Sequence, residues 1–484
     1  MTSIVLVRQS KPHYEVNYTH PLGLMCLGAY IRGNGGHRVS ILDNRIEQWE
    51  MGRLLDETLD RSPDVVGLTG LTSEARILNE FSIRLREKAP GIRQVVGGVH
   101  ATCFSEEVLR ESGVDVVVSG EGEATLEELV ETLVSDGDLG RVAGSAFLDG
   151  GRFRRTEPRE PIEDLDALPF PAWDLIPVEK YFGKRMGDLL FSRPEQMSLY
   201  TSRSCPYQCI YCHNLFGRGF RAQGADSVFE QIKVLYESYK IREFHVQDDI
   251  FNLDLNRAKT ICRRIIEDNL DLVLAFPNGL RADLMDDELI DLLHRAGARR
   301  IAYAVESGSP RVQGMIEKRL DLAKVSDIVA KTAKRGILVK GFFMMGFPTE
   351  TLEEMRQTIV FARNHAFDVV NFSRVIPTKG TRIYEMAKSI GLKTDHDYDQ
   401  YVYDYSDINL SSVDDRTFER TIRRAYLSFM SRPRRLFRLL WLFPNKEQIF
   451  PYYFMLMMVK LFTPKRPGKT RVGARPHRWW RIRY

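Results

Sequence analysis

The sequence predicts an α/β protein with two successive modules of alternating strands and helices, followed by a small, mainly helical, basic region. Three observations support this. Short β-branched runs alternate with helical stretches twice along the 484 residues, five prolines between 156 and 180 interrupt the alternation, and the end of the chain is rich in arginine. We predict four parts: a Rossmann-like domain over 1–150, a proline-rich linker over 151–190, an incomplete barrel over 191–385 and a C-terminal region over 386–484.

The first module has five strand candidates: SIVLVR, RVSILD, DVVGLTG, RQVVGG and DVVVSG. Nearly continuous apolar strands separated by helices are typical of a parallel sheet covered on both faces. Such open sheets bind ligands beyond the carboxyl ends of their strands. Glycines and small polar residues stand at those ends, which predicts a site for a large cofactor. The candidates are Gly70, Thr72, Ser73, Gly97, Gly98, His100, Gly120, Glu121 and Gly122.

The second module has six strand candidates, beginning with MSLYTS and ending with FDVVNFSRV. Six βα units in about 180 residues are too many for half of a Rossmann fold and too few for a complete eight-stranded barrel. We therefore predict an incomplete (β/α)6 barrel. Its chemistry should lie at the carboxyl ends of the strands.

Composition excludes several classes of protein. Hydrophobic residues make up 43% and charged residues 28%, which is typical of a globular protein and not of a disordered or multi-span membrane protein. Six cysteines in 484 residues argue against a disulfide framework. The first residues lack a basic segment followed by a long apolar one, so we expect a cytoplasmic protein.

Three cysteines follow the first barrel strand with the spacing Cys-x3-Cys-x2-Cys: Cys205, Cys209 and Cys212. Three thiolates on one loop can bind three irons of a 4Fe-4S cluster, which leaves the fourth iron without a protein ligand. Catalytic metal sites keep such an open position for substrate. A zinc site with His213 or a distant group as fourth ligand is the alternative, although zinc sites more often use paired Cys-x2-Cys units.

With an aromatic residue before its last cysteine, this loop resembles the signature of radical SAM enzymes. The resemblance implies that the open iron binds S-adenosylmethionine (SAM), which is cleaved to a 5'-deoxyadenosyl radical. It continues through the segments 245–251, 278–283, 304–309 and 341–348. The SAM contacts that it implies are Tyr211, Asp248, Asp249, Arg281, Glu306 and Ser307. Alternatively, the acids at 248 and 249 begin a helix, and the carboxylate at 306 is a buried structural group.

The first module resembles the cobalamin-binding domain of cobalamin-dependent radical SAM enzymes, through the segments 21–24, 36–39, 70–73, 97–102 and 119–123. The resemblance implies that the nine strand-end candidates contact cobalamin. The Asp-x-His-x-x-Gly motif is absent, so we expect cobalamin without a histidine ligand from below, with His37 and His100 as turn or hydrogen-bonding residues. A nucleotide-binding or purely structural module is the alternative.

The C-terminal segment 432–484 contains fourteen Lys or Arg and a single acid, Glu447. Its two apolar stretches, 432–443 and 449–459, are shorter than the roughly 18 residues needed to cross a bilayer. Basic flanks and aromatic residues predict peripheral contact with the inner face of the membrane, or acceptance of an apolar substrate. A helical subdomain packed on the barrel is the alternative. No motif supports a nucleic-acid partner.

The resemblance leads us to expect an enzyme that methylates an unactivated carbon, or phosphorus, of a small or lipid-like substrate by way of methylcobalamin. Its cluster would take electrons from a donor such as flavodoxin or ferredoxin. Oxidative cyclisation or rearrangement without methylation, as in the anaerobic tetrapyrrole cyclases, is the second hypothesis. A methylthiotransferase is disfavoured because only Cys26 and Cys103 precede the barrel, and a non-catalytic cobalamin sensor would not need the cysteine loop.

Overall fold

The computed structural model describes residues 1–10, 18–186, 190–213, 215–401 and 406–449. The N-terminal module is a seven-stranded sheet with helices on both faces. Its strands are β1 (Ser3–Arg8), β2 (Arg38–Asp43), β3 (Val65–Thr69), β4 (Arg93–Gly97), β5 (Val116–Val118), β6 (Ser145–Asp149) and β7 (Arg152–Arg155). Its helices are α1 (Leu22–Gly35), α2 (Asn44–Glu47), α3 (Met51–Leu59), α4 (Ala75–Lys88), α5 (Val99–Cys103), α6 (Ser105–Glu111) and α7 (Glu123–Val134).

The strand order of this sheet is β2-β1-β3-β4-β5-β6-β7, and the first five strands are parallel. Successive residues of a strand point to opposite faces, so Ile4 and Leu6 of β1 join one apolar cluster while Val5 and Val7 join another. The five-stranded parallel sheet predicted from the sequence is confirmed. All five carboxyl ends lie along one edge, which brings the predicted cofactor residues together.

An antiparallel hairpin of β6 and β7 extends this sheet, and the sequence analysis did not predict it. Gly150 and Gly151 form its turn with φ angles of +53° and +80°. Two left-handed residues between strands are typical of a type I′ turn, so the Gly-Gly pair was the available signal. The sheet runs on to Arg155, five residues beyond the predicted end of the first domain. The domain boundaries stay predictions.

The second module is an open barrel of βα units. Its strands are β8 (Gln196–Leu199), β9 (Ser202–Arg203), β10 (Arg221–Ala222), β11 (Glu243–Val246), β12 (Val273–Leu280), β13 (Ala298–Glu306), β14 (Leu338–Met345) and β15 (Val369–Arg374). Its helices are α8 (Ala225–Ser238), α9 (Leu255–Glu267), α10 (Asp287–Arg295), α11 (Pro310–Met315), α12 (Leu322–Lys334) and α13 (Leu352–Asn364).

Six parallel strands form the barrel sheet in the order β15-β14-β13-β12-β11-β8, which agrees with the predicted incomplete (β/α)6 barrel. Val339 and Phe343 of β14 pack in the core with the surrounding helices. Because side chains alternate along a strand, Lys340 and Phe342 face the lumen. Strands β9 and β10 are not part of this sheet. They pair with each other across the base of the cysteine loop.

The proline-rich segment packs against the N-terminal module. The Ala172 amide donates to the Met25 carbonyl at 3.1 Å, and the Trp173 side chain is buried. The Tyr181 hydroxyl donates to Asp43 at the carboxyl end of β2. These contacts explain why a segment without regular periodicity is ordered.

The C-terminal region contributes α14 (Arg382–Ser389), α15 (Asp415–Met430) and α16 (Pro433–Leu442). Helix α16 packs Leu439 against Leu338 and Val369, which start β14 and β15. It therefore covers the amino end of the barrel strands, opposite the cysteine loop. None of the helices within the described ranges is long and apolar enough to span a membrane. Residues 450–484 of the predicted basic tail lie outside the described residues.

Candidate active site

The cysteine loop begins after β9 and ends at β10, which pair with each other beside the barrel. Cys209 is buried, Cys205 is half-buried and Cys212 is exposed. The middle of the loop is fixed by two backbone hydrogen bonds, from the Ile210 amide to the Ile316 carbonyl at 3.2 Å and from the Ile383 amide to the Ile210 carbonyl at 2.9 Å. The three cysteines are therefore presented on a loop that other elements hold in place.

The surroundings of two of the three cysteines suit a cationic metal centre. The pKa of the Cys212 thiol is raised to about 12, first because protein atoms displace water and then because Cys209 and Asp249 lie nearby. Burial also raises the pKa of Cys205. Thiolates gathered here need a compensating positive charge, which iron supplies. Within the described ranges no three His, Cys, Asp or Glu side chains are placed to hold a single ion. Cluster ligands bind separate irons and need not meet at one point.

A buried polar group joins the cysteine loop to the end of β13. The Tyr211 hydroxyl donates to Glu306 Oε1 at 3.2 Å, and Lys318 Nζ donates to the same oxygen at 2.8 Å. Glu306 has a φ of +68° at an irregularity in the β13–β14 ladder, which turns its backbone away from a regular strand path. Lys318 could not be predicted from the sequence, because no local motif marks a lysine that reaches back to a strand end.

The two aspartates after β11 occupy different environments. Asp248 is buried and accepts hydrogen bonds from the Thr201 amide at 2.7 Å, the Thr201 hydroxyl at 2.5 Å and the Ser202 hydroxyl at 2.6 Å. It holds the strand that leads into the cysteine loop. Asp249 is exposed, and surrounding protein and Asp248 raise its pKa. Of the pair, Asp249 has the accessible carboxylate for a cationic ligand.

Arg281 and Ser307 contact the residues around the site through protein–protein contacts of their own. The Arg281 guanidinium lies 3.6 Å from the centre of the Tyr207 ring on the cysteine loop and donates to the Lys318 carbonyl at 2.8 Å. Ser307 is fully buried, with its hydroxyl 3.1 Å from that of Thr358. The contacts of both side chains stabilise the loop and the end of β13.

The cofactor edge of the N-terminal sheet lies against the cysteine loop. Gly98 has a φ of +92°, and a Cβ there would lie 2.7 Å from Thr69 Oγ1, so only glycine fits. A Cβ on Gly120 would lie 3.8 Å from the Leu215 carbonyl. Cys103 Sγ lies 3.7 Å from His213 Nδ1, directly after the last cysteine of the loop. The predicted cofactor edge and the loop thus share one interface.

One predicted residue at this edge and one of its neighbours carry buried polar groups without a protein partner within the described residues. Both ring nitrogens of His100, and the nearby Ser119 hydroxyl, make no hydrogen bond within the described residues. Burial lowers the pKa of His100 to about 4, so its imidazole is neutral. Phe104 and Tyr398 lie against its ring, each 5.2 Å away between centroids. Orphaned polar atoms beside open glycine turns fit an edge that binds a large polar cofactor.

Four charged side chains lock the two modules together beside the cysteine loop. Arg203 pairs with Glu123 at 2.5 Å and with Glu121 at 3.3 Å, and Arg221 pairs with Glu121 at 2.6 Å. Glu121 also accepts a hydrogen bond from the Ile162 amide at 2.9 Å. The predicted cofactor residue Glu121 is thus engaged by this network, which we call the intermodule ion network.

The two modules match two family models: residues 16–130 match the B12 binding domain and residues 199–362 match the radical SAM superfamily. An uncharacterized methyltransferase of Pyrococcus horikoshii is 30% identical over 426 residues, which cover 86% of this chain and 89% of that protein. The chain belongs to the cobalamin-dependent radical SAM enzymes. The family predicted from the sequence is therefore confirmed, together with a 4Fe-4S cluster, SAM and cobalamin as its cofactors.

Further relatives within these radical SAM enzymes differ in their reactions. Cytidylyl-2-hydroxyethylphosphonate methyltransferase of Streptomyces wedmorensis is 28% identical, over 75% of this chain and 77% of its own. The anaerobic magnesium-protoporphyrin IX monomethyl ester cyclase of a Synechocystis strain is 25% identical, over 90% and 86%. The structure of the methyltransferase TsrM from Kitasatospora setae, 21% identical, covers 82% of this chain and 78% of that chain with a TM-score of 0.68. It shares the fold.

The residues fit these cofactors as follows. Cys205, Cys209 and Cys212 would hold the cluster, and Asp249, Tyr211 and Glu306 lie where the barrel strands end, as SAM contacts require. The edge containing Gly70, Thr72, Ser73, Gly97, Gly98, His100, Gly120 and Gly122 would hold cobalamin. These individual roles, and those of Asp248, Arg281, Ser307 and Glu121, stay predictions.

A buried carboxyl that the sequence analysis did not single out follows β14. Glu350 is fully buried, and one of its oxygens accepts from the Gly346 amide at 2.7 Å and the Phe347 amide at 3.1 Å. Its other oxygen makes no hydrogen bond within the described residues. Burial raises its pKa from 4.5 to about 7. It therefore fixes the turn beside the site as a partly neutral acid at physiological pH.

We expect Glu350→Gln to stabilise the enzyme at alkaline pH. The pKa of Glu350 is higher in the folded protein than in the unfolded chain. Its neutral form therefore contributes stability that is fully present below pH 4.5 and is lost as pH rises through 7. The shift in pKa between the unfolded and folded states corresponds to about 3 kcal/mol at most. Glutamine keeps an oxygen for the two amides, so denaturant unfolding at pH 8 should show a gain of about 1–3 kcal/mol that vanishes below about pH 4. Exposed Glu353→Gln is the control, and equal pH profiles for both variants would contradict this role.

Proposed function

We propose that this enzyme methylates an unactivated carbon, or phosphorus, of a small substrate. The observation that brings both cofactor sites together is the shared interface between the cysteine loop and the glycine-rich edge of the N-terminal sheet, at Cys103 and His213. When bound, the cluster and SAM supply radical chemistry and cobalamin supplies methyl transfer. The 30% identical relative named as a methyltransferase supports the same reaction class.

The chain's own residues would position SAM and the substrate. Glu306, held by Lys318 and Tyr211, presents a carboxylate at the end of β13 that can accept hydrogen bonds from hydroxyl groups of SAM. Exposed Asp249 can accept from its ammonium group. Arg281 braces the loop through the Tyr207 ring. These contacts would orient the reacting groups, and holding reactants in the right geometry lowers the barrier.

The lumen of the barrel supports a small, partly polar substrate. Lys340 and Phe342 on β14 and Asn371 and Ser373 on β15 are half-exposed on the inner face, while the outward residues of these strands are buried. Tyr200 follows the end of β8, lies beside Asp249 and is 49% exposed. A lining of amide, hydroxyl, ammonium and aromatic groups suits a compact molecule with polar and planar parts better than a long acyl chain.

The decisive experiment measures two products of SAM. The enzyme is reconstituted anaerobically with iron, sulfide and cobalamin, and is then given SAM and a strong reductant. We expect both 5'-deoxyadenosine and S-adenosylhomocysteine by mass spectrometry, the second only when cobalamin is present. Asp249→Asn should reduce both products, and Asp271→Asn, an exposed acid at the amino end of β12, is the matched control. Deoxyadenosine without S-adenosylhomocysteine, with candidate substrates supplied, would contradict methylation.

Oxidative cyclisation is the second candidate function, because the anaerobic cyclase relative aligns with 90% of this chain. The same product assay separates the two functions. A cyclase consumes SAM only to deoxyadenosine, whereas a methyltransferase also converts SAM to S-adenosylhomocysteine. The cofactor-binding edge and the cysteine loop are common to both reactions.

The partners follow from the chemistry. Reduction of the cluster requires an electron donor, and we propose a small redox protein such as flavodoxin or ferredoxin. Its docking site would lie near Cys212, the exposed cysteine of the loop. We also propose that the enzyme works in the cytoplasm, attached to the inner face of the membrane through its basic C-terminal region.

A further inference from the structure

Helix α16 presents two large aromatic side chains to solvent. Trp441 is 86% exposed and Phe437 is 70% exposed. Among the other described large hydrophobic residues, only the N-terminal Met1 exceeds 53%. Because the two aromatic residues are four positions apart, they lie on the same face of the helix. This aromatic face is the most prominent apolar feature on the described surface.

The inner face of α16 is fixed to the barrel. Leu439 is fully buried against the starts of β14 and β15. Arg435 donates to the Phe367 carbonyl at 3.0 Å and to the Phe429 carbonyl at 2.8 Å. Arg438 pairs with Asp368 at 2.7 Å. The helix cannot turn its aromatic face inward without breaking these bonds. They therefore keep that face directed toward solvent.

The charge around the aromatic face indicates what covers it. Arg434 is exposed and precedes Phe437 by three positions, so it lies on the same face. Arg432 and Lys446 are exposed at the two ends of the helix, together with one acid, Glu447. The sequence from 451 to 484 adds nine Lys or Arg and no acid. Aromatic residues set among cations are typical of a surface that lies in the interface of an anionic bilayer. A second copy of the same face would bring like charges together, which opposes self-association.

We propose that the outward face of α16, through Phe437 and Trp441, docks on an anionic membrane and points the active site away from it. Helix α16 covers the amino end of β14, and the cysteine loop lies at the carboxyl end of the barrel. An eight-residue strand spans about 26 Å. The active site therefore opens toward the aqueous phase, and substrate reaches it from there. This inference rests on the membrane attachment proposed above and names the surface that makes it; it does not depend on the methylation.

The test is sedimentation of the full-length holoenzyme with lipid vesicles. We expect binding to phosphatidylcholine vesicles that contain about 30% phosphatidylglycerol, little binding to phosphatidylcholine alone, and weaker binding at high salt. The double variant Phe437→Ser/Trp441→Ser should bind the anionic vesicles at least about tenfold more weakly. Val134→Ser, which changes a 53% exposed residue on α7, is the matched control and should bind like the unmodified enzyme.

SAM cleavage in solution should be unchanged in the double variant, since α16 lies at the end of the barrel opposite the cysteines. Unchanged cleavage also shows that the variant folds. Three results would overturn the proposal: no vesicle binding by the unmodified enzyme, equal binding by the double variant, or a solution dimer that the double variant converts to a monomer. The last would make α16 an interface between copies of the chain.

Discussion

Replacing Arg203 with methionine is expected to lower the free energy of unfolding by about 3–5 kcal/mol. Arg203 is the one residue that pairs with both Glu121 and Glu123 in the intermodule ion network. Both carboxylates are almost entirely buried. Glu121 keeps Arg221 when Arg203 is removed, but the buried charge of Glu123 is left uncompensated. Chemical denaturation followed by circular dichroism measures the loss.

A matched variant separates burial from charge. Arg193→Met removes an exposed arginine that pairs with exposed Asp271 at 3.0 Å, and should cost at most about 1 kcal/mol. The double variant Arg203→Met/Glu123→Gln removes the stranded charge of Glu123 and should recover part of the lost stability. If Arg203→Met were as stable as Arg193→Met, the network would not stabilise the contact between the modules.

The same network has a functional consequence. Arg203 precedes Cys205 by two residues, and Glu121 and Glu123 follow the last parallel strand of the N-terminal sheet. The network therefore sets the position of the cluster-binding loop relative to the cobalamin-binding edge. In Arg203→Met we expect S-adenosylhomocysteine formation to fall more than cobalamin binding, because the binding edge remains within one module.

The sequence predicted those features that depend on local patterns. Apolar runs such as Val116–Val118 indicated strands, and the spacing of Cys205, Cys209 and Cys212 indicated the cluster loop, because both signals are complete within a few residues. The six-stranded barrel followed from counting such units. Parallel strands also bring their carboxyl ends together, which is why the predicted cofactor residues lie together along one edge of the sheet.

Features that depend on contacts between distant residues could not be predicted. Glu121 was assigned to cobalamin from its place in a glycine-rich segment, but its partners Arg203 and Arg221 lie about 80 and 100 residues further along the chain. Lys318 reaches Glu306 from beyond α11. The raised pKa of Glu350 arises from burial, which depends on the packing around the turn and has no sequence signal.

Replacing any one of Cys205, Cys209 and Cys212 with alanine is expected to abolish SAM cleavage. Two thiolates cannot hold a 4Fe-4S cluster with a single open iron, because a second iron would then lack a protein ligand. Anaerobic reconstitution should give less than about half of the iron and sulfide bound by the unmodified enzyme, with no detectable 5'-deoxyadenosine. Cobalamin binding should persist, since its predicted contacts lie in the other module.

Cys262→Ala is the matched control because its thiol is fully buried in α9 and burial raises its pKa to about 12. It stays a neutral thiol and cannot serve as a ligand, so its loss should cost about 1 kcal/mol of stability and no iron. A zinc site predicts a different result for the unmodified enzyme: one zinc per chain after reconstitution and no iron-dependent absorbance. Iron retained in all three cysteine variants would place the cluster on other ligands, and the open position that SAM requires would then have no structural basis in this loop.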